Sequence, residues 1–333
     1  MIQIKRYLKV VVFALIGIAI LWYITKGQDL ERIWQEFKEA QLIWILLAIL
    51  AGCISHYLRA LRWNLLIHSM NYKTKTSTTF YALMTGYLAN LALPRLGEVT
   101  RCATLSKYGF VPFNSIAGTV VAERVFDMIC LLSLILLTIV FQFSFLRDFL
   151  SVYVFDPLEI LLQGNMITLM VAGIIVMAGF LFLWLYFRKV SHEKQSLSGK
   201  IKRQLMGFWK GMISLAVVER KMLFLTYSIF IWFFYFLTVY LCFFALEATS
   251  GLGVDSGLTI LALGSLGVVA PVPGGIGAYH FIVIKTLTEL MDIAIEPATS
   301  YAYLAHATQM VVILILGAYS WMMLSAKAKK HTL

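Results

Sequence analysis

The chain has 333 residues, 60% of them hydrophobic and 14% charged, with a mean hydropathy of +0.82 and a formal net charge of +11. Soluble domains average about 45–50% apolar and about 25% charged residues, so this composition excludes an ordinary water-soluble fold and places the chain in a bilayer. Lys and Arg collect in cytoplasmic loops, so the charge is no argument for nucleic acid, and four scattered cysteines without CxxC spacing or a histidine partner argue against disulfides and structural zinc.

A hydrocarbon core of about 30 Å takes roughly 20 apolar helical residues. On that measure the chain reads as about six full crossings, over 8–26, 42–66, 113–143, 166–187, 222–246 and 298–325. The first follows Lys5, Arg6 and Lys9 and ends in Trp22-Tyr23-Ile24 without a small-x-small cleavage site, so it reads as a retained span. Leu30, Ile33, Trp34 and Phe37 recur at helical spacing among charges and predict an interfacial helix; Ile201, Leu205, Phe208, Trp209 and Met212 predict another.

Loop charge orients the spans. Segment 188–221 carries nine Lys and Arg against Glu193 and Glu219, whereas 144–165 carries Asp148, Asp156 and Glu159 against Arg147 alone. The bias puts both termini in the cytoplasm of a plasma (inner) membrane.

Two apolar stretches fit that parity only as re-entrant hairpins. The first, 78–107, turns at Pro94-Arg95-Leu96-Gly97; the second, 257–291, turns at Pro271-Val272-Pro273-Gly274-Gly275. Backbone leaving helical geometry at membrane depth must face protein or water. The reading is therefore an all-α polytopic membrane protein of one domain, an inverted repeat with two oppositely oriented hairpins. Repeat 1 spans 42–143, the linking span is 166–187, and repeat 2 spans 222–325. Broken segments at corresponding positions of two halves point to a transporter's midplane site; the plainer alternative is that Pro and Gly merely kink packed helices.

Ionisable residues inside apolar helices are costly, about 2.5–3.5 kcal/mol each on translocon scales, and the first half accumulates eight. Arg59 and Arg62 share a helical face; Arg95, Glu98 and Arg101 follow at i, i+3, i+6; Glu123, Arg124 and Asp127 open the long span. Five arginines face three carboxylates. Pairs such as Arg95–Glu98, Glu98–Arg101 and Arg124–Asp127 are expected to neutralise one another, and Arg59 and Arg62 can alternatively snorkel to the inner surface. The surplus of guanidinium, which grips phosphate or carboxylate through two parallel hydrogen bonds, suggests an anionic lipid headgroup. In the second hairpin, Pro273, Gly274, Gly275 and Gly277 permit close backbone approach, and the following helix aims its N-terminus at the break. His280, one turn in, is a candidate for donating to phosphate or for titrating. There is no GxSxG, Walker lysine loop or HExxH, Glu123 and Asp127 read as salt-bridge partners and not metal ligands, and no cofactor is implied.

At Arg59-Ala-Leu-Arg62-Trp63, Asn90-Leu-Ala-Leu-Pro94-Arg95-Leu-Gly97-Glu98-Val-Thr-Arg101, Glu123-Arg124-Val-Phe-Asp127 and Pro271-Val-Pro273-Gly274-Gly275-Ile-Gly277, the chain resembles the lysylphosphatidylglycerol synthase transmembrane-region family, also called flippase-like or UPF0104. The resemblance runs over about residues 10–325. It implies a lipid translocase moving an anionic phospholipid or polyprenyl-phosphate-linked lipid through a midplane cavity. Arg59, Arg62, Asn90, Arg95, Glu98, Arg101, Glu123, Arg124, Asp127, Pro273, Gly274, Gly275, Gly277 and His280 are then the candidate substrate-binding residues. Relatives are alone or fused to an aminoacyl-transferase domain; this chain stops at Leu333, so it is not expected to lysylate lipid itself, although a lipid-modifying enzyme is a possible partner. Many relatives carry glutamate just after the PGGxG turn, where His280 stands here. Alternative readings are a membrane enzyme or accessory subunit acting on polyprenyl phosphate, and a small-anion transporter.

Overall fold

The computed structural model describes residues 19–23, 25–92, 96–141, 206, 213–214, 218–270 and 272–330. The predicted crossing over 166–187, residues 8–18 and 24 of that over 8–26, and the amphipathic segment around 201–212 apart from Met206 lie outside the described residues, as do Pro94, Arg95 and Pro271. All elements among the described residues are helical.

Helix α1 (Leu30–Glu39) starts where Asp29 accepts hydrogen bonds from the backbone N–H groups of Glu31 and Arg32 at 3.0 and 3.1 Å, satisfying two otherwise orphaned donors. Ile33 is buried while Leu30 and Trp34 stay exposed, and the helix packs on α9, introduced below. Its successor α2 (Leu42–His68) is held at its first residues by the Gln41 N–H donating to Ala245 O at 2.9 Å. Then follow α3 (Thr76–Ala92), α4 (Leu96–Gly109) and α5 (Phe113–Phe141). The second half consists of α6 (Lys221–Phe243), α7 (Val254–Val269), α8 (Ala278–Leu290) and α9 (Ile295–Lys330). By length and composition, three helices among the described residues suffice to cross a membrane: α2, α6 and α9 over Ile295–Lys327. These coincide with the predicted crossings 42–66, 222–246 and 298–325.

The broken segments are pairs of short helices. At 1.5 Å per residue, α3 and α7 are roughly 24–26 Å long, short of a hydrocarbon core of about 30 Å. Within each pair, glycine lets two backbones touch. A Cβ on Gly97 would overlap the Gly86 carbonyl oxygen and come within 2.5 Å of Asn90 Cγ, and one on Gly267 would lie 2.7 Å from Tyr279 Cα. Small residues serve this purpose in lipid, where apolar side chains gain little by leaving one apolar surroundings for another.

Helix pairings recur in matched sets. α2 packs on α3 and α6 on α7; α3 on α4 and α7 on α8; α4 on α5 and α8 on α9. Across the halves, α3 meets α9 and α7 meets α5, while α2 and α6 meet each other along the broadest contact. Two apolar cores form, each drawn mainly from one half. Ala60, Trp63, Leu66, Leu83, Leu105 and Ile116 fill the first; Val239, Phe243, Ile260, Val283, Tyr301 and Ala305 belong to the second.

Candidate functional site

A helix with arginines three apart presents both on one face. On α2 those are Arg59 and Arg62, and they point at α5, where Glu123 and Asp127 stand four apart. Arg59 Nη2 lies 2.7 Å from Glu123 Oε1 and 3.0 Å from Asp127 Oδ2; Arg62 Nη2 lies 2.7 Å from Asp127 Oδ1 and 3.2 Å from Glu123 Oε1. From α4, Arg101 Nη1 reaches the other oxygen of Glu123 at 3.2 Å. Glu123 and Arg62 are wholly buried, Arg101 is 1% exposed and Arg59 6%. Such charges survive burial only when each is paired and hydrogen-bonded. α6 contributes the rest: Arg59 donates to the Tyr235 hydroxyl at 2.8 Å and Arg62 to Ser228 Oγ at 3.2 Å. Aromatic faces complete the cage, with Arg101 over Trp63, Arg62 over Phe224 and Arg59 over Tyr87 at 4.9, 5.5 and 5.7 Å from the ring centres.

Three guanidiniums thus share two carboxylates. The adjoining pair, Arg124 and Glu98 at 2.9 Å, is half exposed and neutral as a unit. Arg101 Nε and Nη2, Arg59 Nε, Arg62 Nε and Glu98 Oε2 are buried with no hydrogen-bond partner among the described residues. On Arg101 the two atoms form one edge of the guanidinium, the edge that holds an oxyanion with two parallel hydrogen bonds.

Two expectations change. Arg59 and Arg62 do not snorkel, because buried carboxylates on α5 offer them more than a headgroup layer would. Nor is Asp127 the partner of Arg124, or Glu98 that of Arg101: Asp127 takes Arg59 and Arg62, and Glu98 takes Arg124 across the α4–α5 contact. Side chains aimed into a bundle meet partners on neighbouring helices that residue spacing along one helix cannot reveal. Arg95 lies outside the described residues. Asn90 bridges the first break, its Oδ1 accepting from the Gly97 N–H at 2.6 Å, an N-cap supplied from across the break.

The second set of predicted residues forms a separate site. Pro273–Gly275 make one tight turn, and Gly274, Gly275 and Gly277 have φ of +60°, +77° and +84°, a region other residues enter only at a steric cost. Two histidines hold the turn. His306 on α9 donates Nε2–H to the Gly274 carbonyl at 2.9 Å, and His280 Nδ1 accepts from the Gly277 N–H at 3.3 Å. The imidazoles are 4.6 Å apart, centre to centre and edge to face; Tyr303 lies 4.6 Å from His280, and Tyr279 stacks on His306 at 5.2 Å. His306 escaped the sequence reading, although an ionisable residue within an apolar span is itself a signal. Tyr235 and Ser228 escaped it too; hydroxyls in an apolar helix give little warning.

The two sites touch through α3. A Cβ on Gly274 would lie 3.3 Å from Leu91 Cδ2 and 3.4 Å from Met310 Sδ, so the glycine turn rests beside the residue that follows Asn90.

A family model described as the lysylphosphatidylglycerol synthase transmembrane region matches residues 8–317. A UPF0104 membrane protein of Pyrococcus horikoshii is 25% identical over 287 residues, covering 82% of this chain and 84% of its own. One from Methanothermobacter thermautotrophicus is 25% identical over 286 residues, 82% of each chain, and one from Methanocaldococcus jannaschii 27% over 234 residues, 70% and 92%. No solved structure matches. With the match extending over nearly its whole length, this multi-pass membrane protein belongs to the lysylphosphatidylglycerol synthase transmembrane-region family.

Proposed function

We propose that the protein is a translocase that moves a lipid with an anionic headgroup between leaflets, and that the arginine cluster receives the headgroup. The observation carrying this reading is the edge of Arg101 that has no hydrogen-bond partner among the described residues. It is a desolvated, bidentate oxyanion donor in a cluster with one guanidinium more than it has carboxylates. In this reading α3–α4 and α7–α8 are re-entrant hairpins of an inverted repeat, entering from opposite faces, with both termini in the cytoplasm at the plasma membrane. The recurring pairings of α2–α5 in α6–α9 support that symmetry. Alternating exposure then opens α4 from α2 and α5 on one side and withdraws the glycine turn from α3 on the other.

The test is leaflet exchange of fluorescent phosphatidylglycerol in proteoliposomes. The wild type is expected to accelerate exchange, and Arg101→Lys, which keeps the charge but removes the fork, to slow it at least about tenfold, the loss of one charged hydrogen-bond pair. No acceleration by the wild type, or equal rates for wild type and Arg101→Lys, overturns the reading.

A further inference from the structure

We propose that His280 and His306 form a proton-binding site whose occupancy releases the turn 273–277 from α3, so that lipid movement is proton-linked. The first half of this statement stands on the geometry alone; the second rests on the translocase reading above.

The partners define both rings. A carbonyl can only accept, so His306 carries its proton on Nε2, toward Gly274. A backbone N–H can only donate, so His280 offers the lone pair of Nδ1 to Gly277 and is neutral. The two imidazoles therefore grip the two ends of the turn from different helices, α8 and α9. A proton added to His280 goes to Nδ1, its one remaining lone pair. That changes acceptor into donor and sets N–H against N–H at the helix cap. It also places an imidazolium 4.6 Å from the second ring in a site where His280 is 3% and His306 4% exposed.

Among the described residues, no carboxylate is arranged to hold that charge. From α9, His306 and Tyr303 face His280, and Tyr279 is its neighbour on α8. Lys285 and Glu289 lie further along α8 and pair with each other. α9 has Glu296 in its first turn, some three turns before His306, and the Tyr301 hydroxyl donates to Val239 O. α7, which packs on Tyr279 through Gly264 and Gly267, has Asp255 alone, in its first turn. α3, on the other side of the turn, has Tyr81 and Tyr87, the latter against His56 and Arg59. Among the described residues no carboxylate makes contact with either imidazole.

Proton binding and the present turn therefore exclude each other, and the state that accepts the proton is one in which the turn has moved. Linkage is reciprocal: whatever the closed turn costs the proton, the proton costs the closed turn. Because Gly274 rests on Leu91 of α3, the movement breaks that contact between the two broken helix pairs. Falling pH is thus an opening signal, and Pro273–Gly277, with three positive-φ glycines, is the element that yields.

Two measurements on the full-length protein test this. The first is 15N-histidine and glycine-amide NMR in lipid nanodiscs, with His280→Gln and His306→Gln for assignment. Between pH 7.5 and 5 both imidazoles are expected to change together with the Gly274 and Gly277 amides. In His280→Gln, whose amide oxygen accepts from Gly277 without titrating, the glycine amides are expected to stay put. Rings that remain neutral to pH 5, or that titrate without moving the glycine amides, overturn the proton site. The second is lipid exchange in proteoliposomes, expected to run several-fold faster at pH 5.5 than at 7.5 in the wild type and to be pH-independent in His280→Gln. Should that variant fail to fold, His280→Asn, whose amide oxygen also accepts without titrating, takes its place with the same expectation. Wild-type exchange that ignores pH overturns the coupling and leaves the translocase standing. Exchange absent at every pH overturns the translocase reading, while the NMR result still decides the proton site.

Discussion

The two broken helix pairs, α3–α4 and α7–α8, solve one packing problem with different chemistry. In both, a glycine brings two backbones into contact, Gly97 against Gly86 and Gly267 against Tyr279. The first pair is then fastened by charge: Arg101 and Glu98 tie α4 to α5, and Asn90 spans the break. The second is fastened by neutral hydrogen bonds, His280 accepting from the turn and His306 donating to it. A buried ion pair gains little net stability but is costly to break, which under the proposed function suits the first pair to gripping a charged guest. Neutral imidazole bonds are worth less and can be switched by one proton, so the second has the properties of a latch.

Glu123→Gln should break that contrast most completely. It leaves Arg59 and Arg62 on Asp127 and takes from Arg101 the carboxylate it pairs with, and removing one member of a buried ionic network costs about 3–5 kcal/mol. Thermal unfolding in detergent should show the loss; an unchanged midpoint would mean that the charges hold nothing together.

Gly97→Ala and Gly267→Ala ask whether the shared feature matters equally. Each adds a methyl group where backbone already sits, and overpacking of this kind costs about 1–3 kcal/mol. The larger effect is expected at Gly97, where the overlap is with a carbonyl oxygen and Asn90 together. Comparable losses in unfolding free energy would support the same close packing in both halves.

Asn90→Ala removes the cap of α4 and should cost about 1 kcal/mol, the usual value of a side-chain N-cap. Its signature is faster amide exchange over the first turn of α4, with α8 unaffected. Gly274→Ala is expected to cost about 1–2 kcal/mol, the steric penalty of a side chain in the left-handed region, with faster exchange confined to 272–280. If either change spreads into the other helix pair, the two are less independent than their separate cores suggest.

Much of this was legible in the chain. Arg59 and Arg62 announce one helical face by their spacing, as do Glu123 and Asp127, and the glycines after Pro273 announce a break. Which carboxylate takes which arginine was not legible, because helix periodicity describes a face but not the helix opposite. The polar partners from α6, Tyr235 and Ser228, are 176 and 166 residues away from the arginines they bind. His306 escaped the sequence reading for the same reason, since Gly274, its partner, is 32 residues earlier.

The sequence by itself determined that this is a helical membrane protein with two interrupted segments and an excess of buried arginine. Those properties are local, set by transfer free energy, by glycine and proline backbone limits, and by the cost of charge in hydrocarbon. Tertiary structure alone decided that three arginines would gather on two carboxylates while one guanidinium edge of Arg101 kept no partner among the described residues, and that two histidines would close on one turn. Those outcomes depend on distance in space, and a desolvated charge or an orphaned N–H accepts whichever partner the packed neighbouring helix brings within reach.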